Sequence, residues 1–254
     1  MGNSNSRNTN CCSKTVNNNI NNENKISHEL PKTPMELHYW EIKGRGESAR
    51  ILLKILHAEF KDVYPQFEEY HKTKDNNGMP FPNLPCLVDG DLKITESLSI
   101  NLYLAENYKP EMLGKNKADK AYVKTIMFLA TDIKNAIFDV MFAEKPRELF
   151  PQKMKTIQSK LGYVDRFIGP SKKFCFDYLT LADIEVVHAL IMAQYLLPYF
   201  GMKIEDTGFK NLERVMGSFM SVPEIKAYLE SEEFNARTLM PPMYIEKFEK
   251  SLEA

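Results

Sequence analysis

The seventeen residues from Phe81 to Ser97 (Phe-Pro-Asn-Leu-Pro-Cys-Leu-Val-Asp-Gly-Asp-Leu-Lys-Ile-Thr-Glu-Ser) constrain the fold more than any other stretch. Pro85 opens a short apolar run, Cys86-Leu-Val88, and Asp89-Gly90 turns it into Leu92-Lys-Ile94. Asp-Gly between two such runs is a hairpin signal, because a tight hairpin turn needs residues that tolerate positive φ. A helix is then predicted from Ser97. Pro85 fits a cis turn that exposes the backbone N–H and C=O of Leu84 to a peptide-like ligand. A helix start gathers unpaired N–H groups and a partial positive charge, so it attracts carboxylates. Read alone, Glu96-Ser97 is a plain helix cap. Beside the proline-locked turn, it predicts a backbone-built site for a small anionic ligand.

The residues before this stretch supply the rest of a small domain. Leu37-His-Tyr-Trp40 reads as a strand, broken by Lys43-Gly-Arg-Gly46. A helix follows from Glu47, with Ala49, Leu52, Ile55 and Leu56 at helical spacing. Phe60–Tyr64 reads as a second strand, parallel to the first. Residues 65–80 are polar and carry Pro65, Gly78 and Pro80, which predicts an irregular connection. The order βαβ then ββα is a thioredoxin-like module over 35–109.

Residues 1–34 are a different material. Ten of the first 24 are Asn and large apolar side chains are nearly absent, so disorder is expected. Met1-Gly-Asn-Ser-Asn-Ser6 fits the N-myristoylation pattern with Gly2 as acceptor, and Cys11-Cys12 would supply a second acyl signal.

From 110 to 254 the pattern is helical. Val123, Ile126, Met127, Ala130, Ile133, Ile137 and Met141 form one apolar stripe on a long helix. Helices are also predicted over 152–167 and 223–233. Residues 184–200 are apolar nearly all round and predict a buried central helix. Thr180-Leu-Ala-Asp183 precedes it as a capping box.

Bulk properties exclude several classes. A net charge of -1 argues against a nucleic-acid partner. No secretory signal and no run of about 18 apolar residues are found. Four scattered cysteines are too few for a disulfide scaffold or a zinc site, which predicts a reducing, intracellular setting and no metal.

Several residues carry two readings. Tyr39 is either an edge-strand aromatic or the donor to a thiolate placed at the strand end. Lys74 and Lys72 are either solvated or partners for a ligand carboxylate. Phe138, Met141 and Phe142 either pack the core or line an apolar pocket. Asp132 lies opposite the apolar stripe, and is a solvated residue unless a partner covers it. Cys86, Cys175 and His188 read as core residues.

At Leu37–Gly44, at Phe81–Ser97 and at Phe176–Asp183, the chain resembles the tyrosine-type cytosolic glutathione transferases. The first two stretches are similar to the mu class, and Arg45–Arg50 to the sigma class. The resemblance implies a thioredoxin-like domain followed by an all-helical domain with a hydrophobic substrate site. It implies glutathione as co-substrate, a hydrophobic electrophile as second substrate, detoxification as the role, and a cytoplasmic homodimer. Tyr39 matches the thiolate-stabilising tyrosine and Trp40 a neighbour that contacts the tripeptide. Asn83 and Leu84 match the loop that pairs with the cysteinyl backbone, with Pro85 as its cis-proline. Glu96 stands where the family often has Gln, and Ser97 matches the hydroxyl that holds the γ-glutamyl carboxylate. Lys74 matches the lysine that meets the glycyl carboxylate. Asp132 matches an acidic residue contributed across the dimer. The same fold also suits a glutathione-dependent isomerase of the prostaglandin type, or a non-catalytic binding protein, either a ligandin or a membrane-tethered adaptor. The presence of Tyr39 with Ser97 weighs against the non-catalytic reading, because a pure adaptor needs neither.

Overall fold

A computed structural model of the chain describes residues 29–253, apart from 32 and 77. The expectations for Gly2, Cys11, Cys12 and most of the Asn-rich segment therefore lie outside the described residues.

The first half builds a four-stranded sheet in the order β2-β1-β3-β4. β1 (Met35–His38) leads into α1 (Glu47–Ile55), which returns the chain to β2 (Phe60–Val63). β1 and β2 are parallel, with Leu37 opposite Asp62. β3 (Cys86–Asp89) runs antiparallel to β1 and forms the expected hairpin with β4 (Leu92–Thr95). Gly90 takes φ 58° in the turn, a conformation that suits a residue without Cβ. Helix α3 (Ser97–Tyr108) then packs on α1 and on the hairpin. This is a thioredoxin-like arrangement.

The connection over 65–80 is not irregular throughout. It contains α2 (Phe67–Thr73), followed by a 3-10 turn at Lys74–Asn76. None of the α2 residues is buried, so no apolar period betrays this helix in the sequence.

The second half is helical: α4 (Lys117–Met141), α5 (Pro146–Ile168), α6 (Leu181–Leu196), α7 (Lys210–Met220), α8 (Pro223–Leu229), α9 (Glu232–Ala236) and α10 (Pro242–Glu253). The predicted stripe on α4 is buried along its whole length. α5 begins six residues earlier than expected, because Pro151 sits inside it. α7 and α10 were not foreseen. The segment Leu181–Phe200 is long and apolar enough to cross a membrane, but most of it is buried among the other helices, as suits a core helix.

A buried polar cluster joins the two halves. Lys134 on α4 pairs with Glu185 on α6, and both side chains are sealed from solvent. Glu185 also accepts from Asn101 on α3 at 2.6 Å, and Asn101 donates to Ser48 on α1 at 3.1 Å. Burying one charge alone is costly, so the pair and its hydrogen bonds are needed together.

His188 lies next to this cluster and differs from a satisfied core histidine. It is 1 % exposed, and neither ring nitrogen has a hydrogen-bond partner among the described residues. Burial, then the charge of Lys134, pushes its pKa well below the usual value; the neighbouring Gly44 backbone opposes the shift, and Arg45 and Arg50 add to it. The folded state keeps it neutral, while the unfolded chain takes up a proton below about pH 6.5. Its contribution is thus intact above that pH and is lost as pH falls, at up to about 1.4 kcal/mol per unit. Urea unfolding at pH 7, 6 and 5 is expected to show a steeper loss of stability in wild type than in His188→Leu. Parallel losses would contradict this account.

Candidate active site

Tyr39 and Trp40 follow directly on β1, where the strand ends and the chain turns towards α1. The Tyr39 hydroxyl oxygen accepts a hydrogen bond from the backbone N–H of Arg45 at 2.8 Å. That bond leaves the hydroxyl proton free to donate elsewhere. Gly44 has φ 40°, and a Cβ there would lie 2.6 Å from the Tyr39 oxygen. Glycine thus satisfies both the backbone and the close approach. Tyr39 is only 6 % exposed. Burial pushes its pKa above the usual value, while the Arg45 N–H and the charges of Arg45 and Arg50 pull it back. The phenol therefore holds its proton at neutral pH.

Arg50 supports this loop from beneath. It is fully buried. Its guanidinium donates to Asp62 at 2.9 and 3.1 Å, to the Ile42 carbonyl at 2.7 Å and to the Trp40 carbonyl at 3.3 Å. Glu47 completes the shell at 3.3 Å.

On one side of Tyr39 lies the Leu84–Pro85 turn, whose peptide bond is cis. Tyr39, Ile42, Leu84 and Cys86 form one small buried cluster. Cys86 is an inert core thiol, pushed up to about 11 by burial. The Leu84 N–H donates to Asn83 Oδ1 at 2.9 Å, so a ligand pairing with this backbone has to displace that contact. Asn83 also donates to Glu96 Oε1 at 2.9 Å, which ties the turn to the start of α3. Glu96 has φ 68°, unusual for a residue with a side chain. Among the described residues no side chain caps α3, so its first N–H groups, beginning with Ser97, have no capping partner there. Trp40 packs on Phe67 and edge-on to Tyr70 of α2, with ring centres 5.4 Å away in each case. Lys74 follows α2 and has no ion-pair partner among the described residues, whereas Lys72 sits 4.0 Å from Glu68.

On the other side of Tyr39 opens a cleft of about 1240 Å³. Its walls include Trp40, Arg45, Phe138, Phe142, Met243 and Tyr244. The Arg45 guanidinium lies 4.9 Å over the Phe138 ring and donates to Asn135 at 2.7 Å. Phe142 is 54 % exposed and stacks against Phe138. Met141 is not a cleft residue: it is 2 % exposed and belongs to the core. One step along a helix turns a side chain by about 100°, which separates these neighbours. Asp132 does lie on the solvent side of α4, but its carboxylate is held by Lys160 of α5 at 2.8 Å.

Sequence reasoning missed Arg45, Phe67 and the whole α10 wall. A helical pattern after Pro242, with Tyr244, Ile245 and Phe248 on one side, was the available signal. Among the described residues no group of three or more His, Cys, Asp or Glu could hold a metal.

Residues 35–106 match the model of the glutathione S-transferase N-terminal domain, and 131–232 match that of the C-terminal domain. A class-mu 26 kDa glutathione S-transferase of Fasciola hepatica is 30 % identical over 204 residues, which is 79 % of this chain and 90 % of that protein. Glutathione S-transferase Mu 1 of Macaca fascicularis is 27 % identical over 219 residues, covering 83 % and 95 % of the two chains. The crystal structure of the glutathione S-transferase Blo t 8 superposes with a TM-score of 0.67 at 27 % identity, covering 83 % of this chain and 98 % of that one. The chain belongs to the glutathione S-transferase family.

Proposed function

We propose that this protein conjugates reduced glutathione to hydrophobic electrophiles. The observation that carries the reading is the Tyr39 hydroxyl, which accepts from Arg45 N–H and keeps its own proton for a sulfur. A free thiol has a pKa near 8.5, so only a few per cent is thiolate at pH 7. Each tenfold gain in thiolate needs about 1.4 kcal/mol of preferential stabilisation. One preorganised donor in a site sheltered from water supplies an effect of that order. The nearby Arg45 charge acts in the same direction.

In this mechanism glutathione lies along the Leu84–Pro85 turn. Its γ-glutamyl carboxylate meets the Ser97 N–H and hydroxyl, and its ammonium meets Glu96. Asn83 orients the Glu96 carboxylate through their hydrogen bond. Trp40 contacts the tripeptide, and Lys74 is free to meet the glycyl carboxylate. The thiol proton leaves to solvent. The sulfur lone pair then forms the S–C bond while the leaving group departs with the electron pair of the bond that breaks. The cleft holds the electrophile against Phe142 and Phe138. A twofold dimer, with Asp132 presented to the neighbouring site, and a cytosolic location complete the reading. The Gly2, Cys11 and Cys12 pattern supports an acyl anchor on the cytosolic face of a membrane.

The test is glutathione conjugation to a generic aromatic electrophile. Wild type is expected to turn over. Phe142→Ala is expected to raise KM for the electrophile about three- to tenfold, as the loss of a half-buried ring implies, with glutathione affinity unchanged. Wild type that binds glutathione but conjugates no electrophile would refute the reading.

A further inference from the structure

We propose that Arg237 is a positioning residue: a clasp that fixes the electrophile wall and the Tyr39 loop in one register. The inference rests on the reaction proposed above and adds a residue to it. Arg237 lies just after α9, remote in sequence from the site, yet is only 4 % exposed. Its guanidinium donates to Asp62 and to the Tyr64 hydroxyl, both at 2.9 Å, and to Glu233 at 3.0 Å. A further bond of 3.1 Å reaches the Tyr228 hydroxyl, which in turn donates to Glu47 at 2.6 Å. Asp62 is the carboxylate that also holds Arg50. One anion at the end of β2 thus anchors two buried arginines.

Arg50 and the backbone of the segment carrying Arg237 both hold the loop that follows β1. Arg50 holds the carbonyls of Trp40 and Ile42. The segment carrying Arg237 holds the next residues: Lys43 N–H donates to the Thr238 carbonyl at 2.8 Å, and Gly44 N–H to the Leu239 carbonyl at 3.0 Å. The Lys43 ammonium donates to the Arg237 carbonyl itself. The next peptide N–H along the loop is that of Arg45, which binds the Tyr39 oxygen. In the other direction the chain runs on through Met240 to Pro242, Met243 and Tyr244, the apolar wall of the cleft. A displacement of this strap would therefore move the wall and loosen the hook on Tyr39 together. The Ser97 end of the site contains none of these bonds and should be indifferent to it.

This asymmetry makes the clasp testable. The chain's one tryptophan, Trp40, lines the cleft and reports occupancy by fluorescence. Full-length wild type, Arg237→Gln and Arg237→Lys would be titrated with glutathione and with an apolar anilinonaphthalene dye. The ionisation midpoint of the bound thiol would be read by ultraviolet absorbance. In Arg237→Gln the dye Kd is expected to rise about tenfold and the thiol midpoint to rise by about half a pH unit or more, with glutathione Kd within about twofold. Arg237→Lys, which keeps the charge but not the planar fork, is expected to fall between. A generally loosened fold would weaken glutathione binding as well. A folded Arg237→Gln with wild-type dye affinity and thiol midpoint overturns the proposal. If that variant does not fold, Tyr64→Phe removes one partner of the clasp. It is then expected to weaken dye binding about two- to threefold, and no change would overturn the proposal. Wild type that binds both ligands but conjugates nothing would refute the reaction, while dye affinity would still read the clasp.

Discussion

Tyr39→Phe is expected to lower kcat/KM for glutathione conjugation by about a hundredfold, the usual result of removing one aimed donor from a reacting anion. Phenylalanine fills the same space in the cluster with Leu84 and Cys86, so the Leu84–Pro85 turn keeps its packing. Glutathione affinity should therefore stay within about threefold, because the thiol is a small part of the ligand. The pH dependence should change with it. The bound thiol loses its donor, so the midpoint of kcat/KM for the electrophile at saturating glutathione is expected to rise towards the free-thiol value of about 8.5. One side effect follows from the geometry. The Arg45 N–H loses its acceptor, at a cost of about 1–3 kcal/mol of stability if it stays dry. Calorimetry on the variant separates this from the chemical effect. Normal turnover in Tyr39→Phe would eliminate the proposed role of the hydroxyl.

Asp183→Ala is expected to be the most damaging single change to the fold. Asp183 is fully buried at the start of α6. Its carboxylate accepts from the Cys175 N–H at 2.6 Å, the Thr180 N–H at 2.8 Å and the Thr180 hydroxyl at 2.9 Å. Alanine orphans two buried backbone donors and leaves a cavity. The expected loss is about 3–5 kcal/mol, or a fall in Tm of about 6–20 °C for a chain of this size. Burial pushes this carboxyl up to about 6 against the hydrogen bonds that pull it down. Wild type is therefore ionised there at pH 7.5, where the two proteins should be compared. A Tm within about 2 °C of wild type would show that α6 is held by its apolar surface alone.

The parts of the site legible in the sequence are the local ones. The hairpin at Asp89-Gly90, the Leu84–Pro85 turn, the start of α3 and the capping box each need only residues a few positions apart, and each is present. The apolar stripe on α4 was legible because its period matches the helix. α2 was illegible because none of its residues is buried. Phe138, Met141 and Phe142 carry the same two readings in the sequence, core or pocket, because a pattern of apolar positions does not say which face is capped by another helix. Arg237 was beyond reach, since its partner Asp62 lies 175 positions away and nothing near either residue marks the pair.

The strap that carries Arg237 also sets an order of events during synthesis. Tyr39, the cis-proline turn and the start of α3 are translated before α4 and the strap, so the proposed glutathione-binding turn is made before the cleft is closed. The Met243 and Tyr244 side of the cleft is translated after Arg237, and long after Tyr39. A nascent or prematurely ended chain would carry a thiol-binding half with an open flank. The proposed electrophile cleft is therefore complete only once the segment after Arg237 has been made.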